Sequence, residues 1–437
     1  MRVLGLFAIL VTLAAPVRAA TDVVEVVSPG GHTAWLVQET SIPMLALNLH
    51  FAGGASLDPA DKAGATRLMV GLIEEGAGDL DRAGFARAAD ALSARFGFSA
   101  GRDGVSVGAT MLTENRDASV DLLALALTAP RFDPQAIDLV RPQLLSVIDA
   151  GRKDPSTLAR EAFREAAFGD HPYVRPVDGT AETVASLTRD DILDAHRRAF
   201  TRGRVTIAAV GDIDPQALGA LLDDLLGDLP ADGPPLPVPA DTVDAAEQIV
   251  IPLDTPQSQI VAGHSGILPG DPDFLPAFVA NHIFGGGGFS ARLLNELREE
   301  RGLTYGVSST LSTARYGPLV LAGLSTANAD AAQAIELLRA EWRRLAEEGV
   351  TEDELAAAKR FLTGAYPLQF DGNRRIASLL VGLQLGGRDL DYVARRNALI
   401  EALTLDQVNA AAARVFRPDV LRVVVVGQPE GVETSAD

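Results

Sequence analysis

"LTRDDILDAHRRAFTRGRVTIAAVGDIDP", residues 187–215, returns in altered form as "LTLDQVNAAAARVFRPDVLRVVVVGQPEG", residues 403–431. Each stretch opens Leu-Thr-x-Asp, carries a helical pattern ending at phenylalanine, breaks briefly, and closes with a β-branched strand running into glycine. The pairs Leu187/Leu403, Thr188/Thr404, Asp190/Asp406, Phe200/Phe416 and Gly211/Gly427 all stand 216 residues apart. One unbroken offset across five positions, spanning helix and strand alike, points to an internal duplication. A second echo pairs "RFDPQAID", from Arg131, with "GVTEDELA", from Gly349, each introducing a long helix.

Between the copies lies "LPADGPPLPVPAD", with Pro230, Pro234, Pro235, Pro237 and Pro239 in ten residues. Proline at this density excludes helix and central strand, so residues 230–246 read as an extended linker. It separates an N-terminal domain, 22–229, from a C-terminal domain, 247–431. In the first domain, residues 22–40 alternate like a hairpin, and residues 44–54 and 105–112 like strands. Residues 62–75, 82–95, 115–128, 134–150, 156–168 and 189–200 carry helical spacing. Helices come in runs and neighbouring strands can pair antiparallel, which predicts an α+β fold: two homologous domains, each a mostly antiparallel sheet packed by helices.

The first residues, "MRVLGLFAILVTLAAPVRAA", combine Arg2, an apolar run too short to span a bilayer, and small residues before a cleavage point after Ala19. Residues 1–19 therefore read as a signal peptide, and the mature chain as an exported, periplasmic, soluble protein without membrane insertion. The chain has no cysteine, which excludes disulfides, thiol catalysis and cysteine-ligated zinc. Its formal charge is −20; removal of Arg2 and Arg18 with the signal makes it −22, which argues against nucleic-acid partners.

Five landmarks occur in a telling order: "HFAGGASLDP" from His50, "KAGATRLMVGLIEEGAG" from Lys62, "FGDHPYVRPVDGTAETVASLTRDDI" from Phe168, "VTIAAVGDID" from Val205, and "FGGGGFSARLLNELREERGLTYGVSS" from Phe284. Together they resemble the pitrilysin/insulinase family of zinc peptidases, nearest its bacterial and mitochondrial-processing branch, over nearly the whole mature chain. The resemblance implies a duplicated, clam-like half chamber.

In that family a helix after the first strands carries His-x-x-Glu-His. Its two histidines share one helical face to hold Zn²⁺, and the glutamate activates water. Anchoring on Gly64 and Gly76 puts Arg67 and Gly71 at the histidine positions and Val70 at the glutamate position. A more distal glutamate ligand falls near Val147, where Asp149 is the nearby carboxylate. A cation, a bare backbone and an aliphatic chain cannot hold zinc or act as a base, so no metal and no cofactor is expected on this chain.

The second half keeps features that the resemblance marks as functional. Arg298 and Tyr305, seven residues apart, match the arginine and tyrosine that family members place facing the zinc site. They would contribute carbonyl or carboxylate binding and oxyanion stabilisation. Gly285, Gly286, Gly287 and Gly288 resemble the substrate-contacting loop of the processing peptidase's non-catalytic subunit. The expectation is a non-catalytic subunit of a heterodimeric zinc endopeptidase, paired with a homologous zinc-bearing chain and acting on peptides. Two rivals are a stand-alone periplasmic peptide-binding or scaffold protein, and a zinc peptidase with ligands relocated to His50, Glu74 and Glu75.

Overall fold

The computed structural model describes residues 22–435, so the expected signal peptide lies outside the described residues. Two sheets form the framework. The first runs in the order Val23–Val27, Thr33–Gln38, Val205–Gly211, Met44–Ala52, Gly104–Leu112, Arg95–Ala100. The second runs Thr304–Ser312, Leu319–Ala327, Gln257–Ser265, Arg422–Gly427, Gln248–Pro252. Read from the opposite edge, the second repeats the first without its outermost strand, down to one parallel pair in each. Thr33–Gln38 runs parallel to Val205–Gly211, and Gln248–Pro252 to Arg422–Gly427, while the other pairings are antiparallel.

The duplicated stretches 187–215 and 403–431 also match in three dimensions. Thr188 and Thr404 each cap a helix, Arg189–Ala199 and Leu405–Val415, through a reciprocal capping box with the side chain three residues on. Phe200 and Phe416 are fully buried below the helix ends. Gly211 and Gly427 close the central strands at φ +145° and +152°. A side chain at Gly211 would meet the Met44 carbonyl, and at Gly427 the Ser258 side chain, so both conformation and space require glycine.

Helices cover one face of each sheet to form the two main cores. The opposite faces are covered by exchange. Helix Pro155–Phe168, from the first half, lays Ala159, Phe163 and Ala167 on Val261, Val424 and Val426 of the second sheet. Helix Asn373–Leu385, from the second half, lays Ile376, Ala377, Leu380 and Val381 on Trp35, Val37, Ala208 and Val210 of the first. Each half thus completes the other. Residues 230–246 contain neither helix nor strand, but they are pinned rather than loose: Ala240 N donates to Tyr316 O at 2.5 Å and Val243 N to Ala167 O at 2.8 Å.

Most helical windows hold within a residue or two, with one exchange of type. The window 82–95 is helix only to Ala91, after which Ser93 turns at φ +52° and Arg95–Ala100 forms an edge strand.

Candidate functional site

The counterpart of the metal helix is Ala65–Leu72, continued by a 3-10 turn at Ile73–Glu75. Its start is held by Asp58, whose buried carboxylate accepts from Thr66 N at 3.0 Å and from Thr66 Oγ1 at 2.6 Å. Burial pushes the Asp58 carboxyl up, and the Thr66 bonds and Arg198 oppose that rise. Gly64, at φ +91°, packs against the Asp178 carbonyl so closely that a Cβ would lie 2.6 Å from it. The scaffold of the helix is therefore intact.

Its chemistry is not. Arg67 Nε donates to Asp178 Oδ1 at 3.1 Å, a partly exposed ion pair that stabilises the fold by less than about 1 kcal/mol. Val70 is 4% exposed and belongs to the core. Gly71 is exposed, and a Cβ there would lie 3.2 Å from Val140 Cγ1. Val147 is half exposed on helix Pro134–Gly151, where Asp149 is paired with Lys153 at 2.7 Å. These residues do not fit zinc: the four positions supply a paired cation, an aliphatic core residue, a backbone and an exposed valine.

Relocated ligands fare no better in geometry. The His50 ring Nδ1 lies 3.1 Å from Ser106 Oγ, and Glu75 lies 3.0 Å from Arg82. Among the described residues, no group of three or more His, Cys, Asp or Glu side chains is arranged to hold a metal ion.

In the second half, the glycine run and Arg298 meet at one turn. Residues His282–Gly286 form a π-helical segment, followed by a 3-10 turn at Gly288–Ser290. A Cβ on Gly285 would lie 2.5 Å from Ser309 Oγ and 2.8 Å from Ser309 N; on Gly286, 2.9 Å from Asn281 Nδ2; on Gly287, 2.7 Å from the His282 carbonyl. Gly288 has open space but φ +61°. Three glycines are thus set by packing and the fourth by backbone conformation. Asn281 ties the turn to strand Thr304–Ser312, accepting from Ser309 Oγ at 2.7 Å and donating to Ser309 O at 3.3 Å.

Phe289, directly after the glycines, is 77% exposed, and the Arg298 guanidinium lies 5.2 Å from its ring centroid. That cation–π contact holds Arg298 over the turn, and Arg298 also pairs with Glu299 at 3.4 Å. Tyr305 is 87% exposed at an irregularity where the strand register shifts between Thr304 and Val307. Thr304 anchors that irregularity, donating to Ser325 O at 2.7 Å and accepting from Gly306 N at 3.1 Å. The glycine turn and Arg298 are brought together; Tyr305 stands out into solvent on the next strand. Phe289 was not singled out by the sequence reading, although an aromatic residue directly after four glycines was its available signal.

Residues 35–181 match the family model described as Insulinase (Peptidase family M16), and residues 186–362 match that of the Peptidase M16 inactive domain. The chain belongs to the M16 peptidase family. An M16 inactive-domain structure from Pseudomonas fluorescens superposes with a TM-score of 0.85 at 27% identity, covering 95% of this chain and all of the other. A Helicobacter pylori protein named as a non-peptidase homologue, YmxG, is 25% identical over 78% of each chain. An uncharacterised zinc protease of Mycobacterium leprae is 28% identical over 89% of this chain and 88% of its own. A chain of complex III2 from Candida albicans shares the fold, with a TM-score of 0.76 at 17% identity.

With neither ligands nor base on its metal helix, this chain is an inactive M16 member. The two M16 sheets, each completed by the other half, form the clam-like arrangement expected from the sequence. Among the described residues no helix is long and apolar enough to cross a membrane.

Proposed function

We propose that this chain is the non-catalytic subunit of a periplasmic, heterodimeric zinc endopeptidase. A homologous partner chain carries the zinc and the base. This chain closes the chamber and contributes Arg298, Tyr305 and the Gly285–Gly288 turn to bound peptide. The observation that supports the reading best is the contrast between the two halves. The metal helix keeps its packing while its ligand positions are filled by residues with structural roles. In the second half, an aromatic and a stacked guanidinium meet at a packed glycine turn, and an 87% exposed tyrosine stands on the following strand.

An exposed Tyr305 hydroxyl and a fixed Arg298 fork are suited to bind a peptide carbonyl or carboxylate, and a site assembled across two chains needs metal and base on only one. The decisive experiment measures zinc content and peptidase activity of the purified chain alone and after reconstitution with a histidine-bearing M16 relative from the same host. Activity confined to the complex and reduced by Arg298→Ala or Tyr305→Phe is the expected result. Stoichiometric zinc with activity in the isolated chain sinks the reading. Peptide binding by the isolated chain with no recruitment of such a relative favours a stand-alone binding protein instead.

A further inference from the structure

The chain has 58 acidic against 38 basic residues, yet arginines converge close to the metal-helix counterpart. Arg160 and Arg164 stand one turn apart on helix Pro155–Phe168, on positions other than Ala159, Phe163 and Ala167, which bury it. Arg102 lies in the turn between strands Arg95–Ala100 and Gly104–Leu112, and Arg175 follows the buried Tyr173. Arg102 Nη1 donates to the carbonyls of Tyr173 at 2.6 Å and Arg175 at 2.9 Å, and Arg175 Nη2 donates to Ser56 O at 3.1 Å. Neutral carbonyls thus hold two guanidiniums in place without cancelling their charge.

The carboxylates of the neighbourhood are engaged elsewhere. Asp103 accepts from the Tyr173 hydroxyl and from Arg315 N, Asp58 from Thr66 and Arg198, and Asp178 from Arg67. Glu161 remains, and it forms no ion pair with Arg160 or Arg164 among the described residues; burial pushes its carboxyl up. Arg164 makes neither a hydrogen bond nor an ion pair among the described residues. Burial first, then the charges of Arg102 and Arg160, pull its guanidinium down to about 10, and the charge of Glu161 opposes that fall without reaching an ion pair. Arg175 Nε is buried and lacks an acceptor among the described residues. A half-buried guanidinium flanked by like charges is an unfavourable arrangement in the free protein, and an arriving anion relieves it.

We propose that Arg160 and Arg164, backed by Arg102 and Arg175, form an anion-binding patch that takes the carboxylate side chains of an acidic peptide segment. The guanidinium fork matches a carboxylate in geometry, and helix Pro155–Phe168 offers an open row rather than an enclosed pocket. The patch adjoins the Pro172–Gly179 segment, which through Asp178 also holds Arg67, so an extended peptide passing the degenerate helix comes within its reach. On a strongly acidic protein such a patch acts by selecting and placing the peptide, not by accelerating its approach. The inference rests on the reading that this chain binds peptides, and it adds which peptides it selects.

The test uses the full mature chain and fluorescence anisotropy with two dansylated peptides, one with glutamate at alternate positions and one with glutamine in their place. The glutamate peptide is expected to bind about tenfold more tightly at low salt, with the preference shrinking as salt rises. Arg164→Ala should remove most of that preference and leave the glutamine peptide unaffected, whereas Glu161→Gln should enlarge it. Arg164 makes no hydrogen bond or ion pair among the described residues, so its removal breaks no polar contact of the fold; circular dichroism checks that the variant is folded, and Glu161→Gln supplies an independent test of opposite sign. Equal affinity for both peptides, or a parallel loss for both in Arg164→Ala, overturns the patch and leaves the peptide-subunit reading standing. Failure of the chain to bind either peptide overturns the patch and leaves the subunit reading to the reconstitution experiment.

Discussion

Val70→Glu restores the residue that catalytic relatives use as base, and its cost reports how far the helix has abandoned that role. Val70 is 4% exposed among core residues, so the substitution removes about 1.5–3 kcal/mol of apolar burial and inserts a carboxylate with no partner. An uncompensated buried charge brings the total to roughly 3–5 kcal/mol at neutral pH. Val70→Gln has the same shape without the charge, so the difference between the two variants isolates ionisation. Burial raises the folded-state pKa of the new glutamate above its unfolded value. The two variants are therefore equally stable below about pH 4.3, and the glutamate variant falls behind as pH rises, by up to about 1.4 kcal/mol per unit until the folded pKa is reached. Urea unfolding of both variants from pH 4 to 8 measures that gap, with the titration of all other groups common to both. Equal midpoints at pH 7, together with zinc binding by Arg67→His/Val70→Glu/Gly71→His, would show that the helix still presents a catalytic face and would refute the reasoning.

Three further outcomes follow from the geometry. Gly285→Ala places a methyl 2.5 Å from Ser309 Oγ and should destabilise by about 1–3 kcal/mol, against about 1 kcal/mol for Gly288→Ala, whose φ of +61° is the sole obstacle; equal urea midpoints would contradict a turn set by packing. His264 is satisfied as the neutral ring, its Nδ1 at 2.8 Å from Ser265 O and its Nε2 accepting from Arg417 N at 3.1 Å, and burial pulls it down to about 4. Its contribution is complete above about pH 6.5 and is lost as pH falls toward 4, by about 3 kcal/mol in all, so His264→Gln should flatten that part of the stability profile measured by urea unfolding. Tyr173→Phe removes the hydroxyl that joins Asp103 to Tyr316 N between the two halves, and should cost about 1–3 kcal/mol in a thermal melt while leaving each sheet's strand pairing intact by hydrogen exchange.

The duplication was legible because both copies spend the same residues on the same local problems: a threonine cap, a phenylalanine under the helix end, a glycine where the strand closes. The loss of the metal ligands was equally legible, since it depends on residue type at fixed spacing. The exchange of helices was not. Apolar spacing in 156–168 announces that the helix is buried on one side but carries no sign of which sheet receives it, and Phe163 fits Val424 for reasons of tertiary shape. The edge strand Arg95–Ala100 was hidden for a related reason: Gly97 weakens its alternation, and the preceding helix runs into it with only a tight turn between. Arg298 and Tyr305 could be named from sequence, whereas the stacking of Arg298 on Phe289 is a fact of the fold.

The exchanged helices also set a timetable for the making of the protein. The last strand of the first sheet ends at Gly211, but the helix that covers its Trp35, Val37, Ala208 and Val210 face begins at Asn373. That is roughly 160 residues later in the order in which the chain emerges. Through that interval an apolar sheet face waits for its lid, and a chain cut at the proline-rich segment would never receive it. The two copies arose as equals, yet neither can finish folding until the other has arrived.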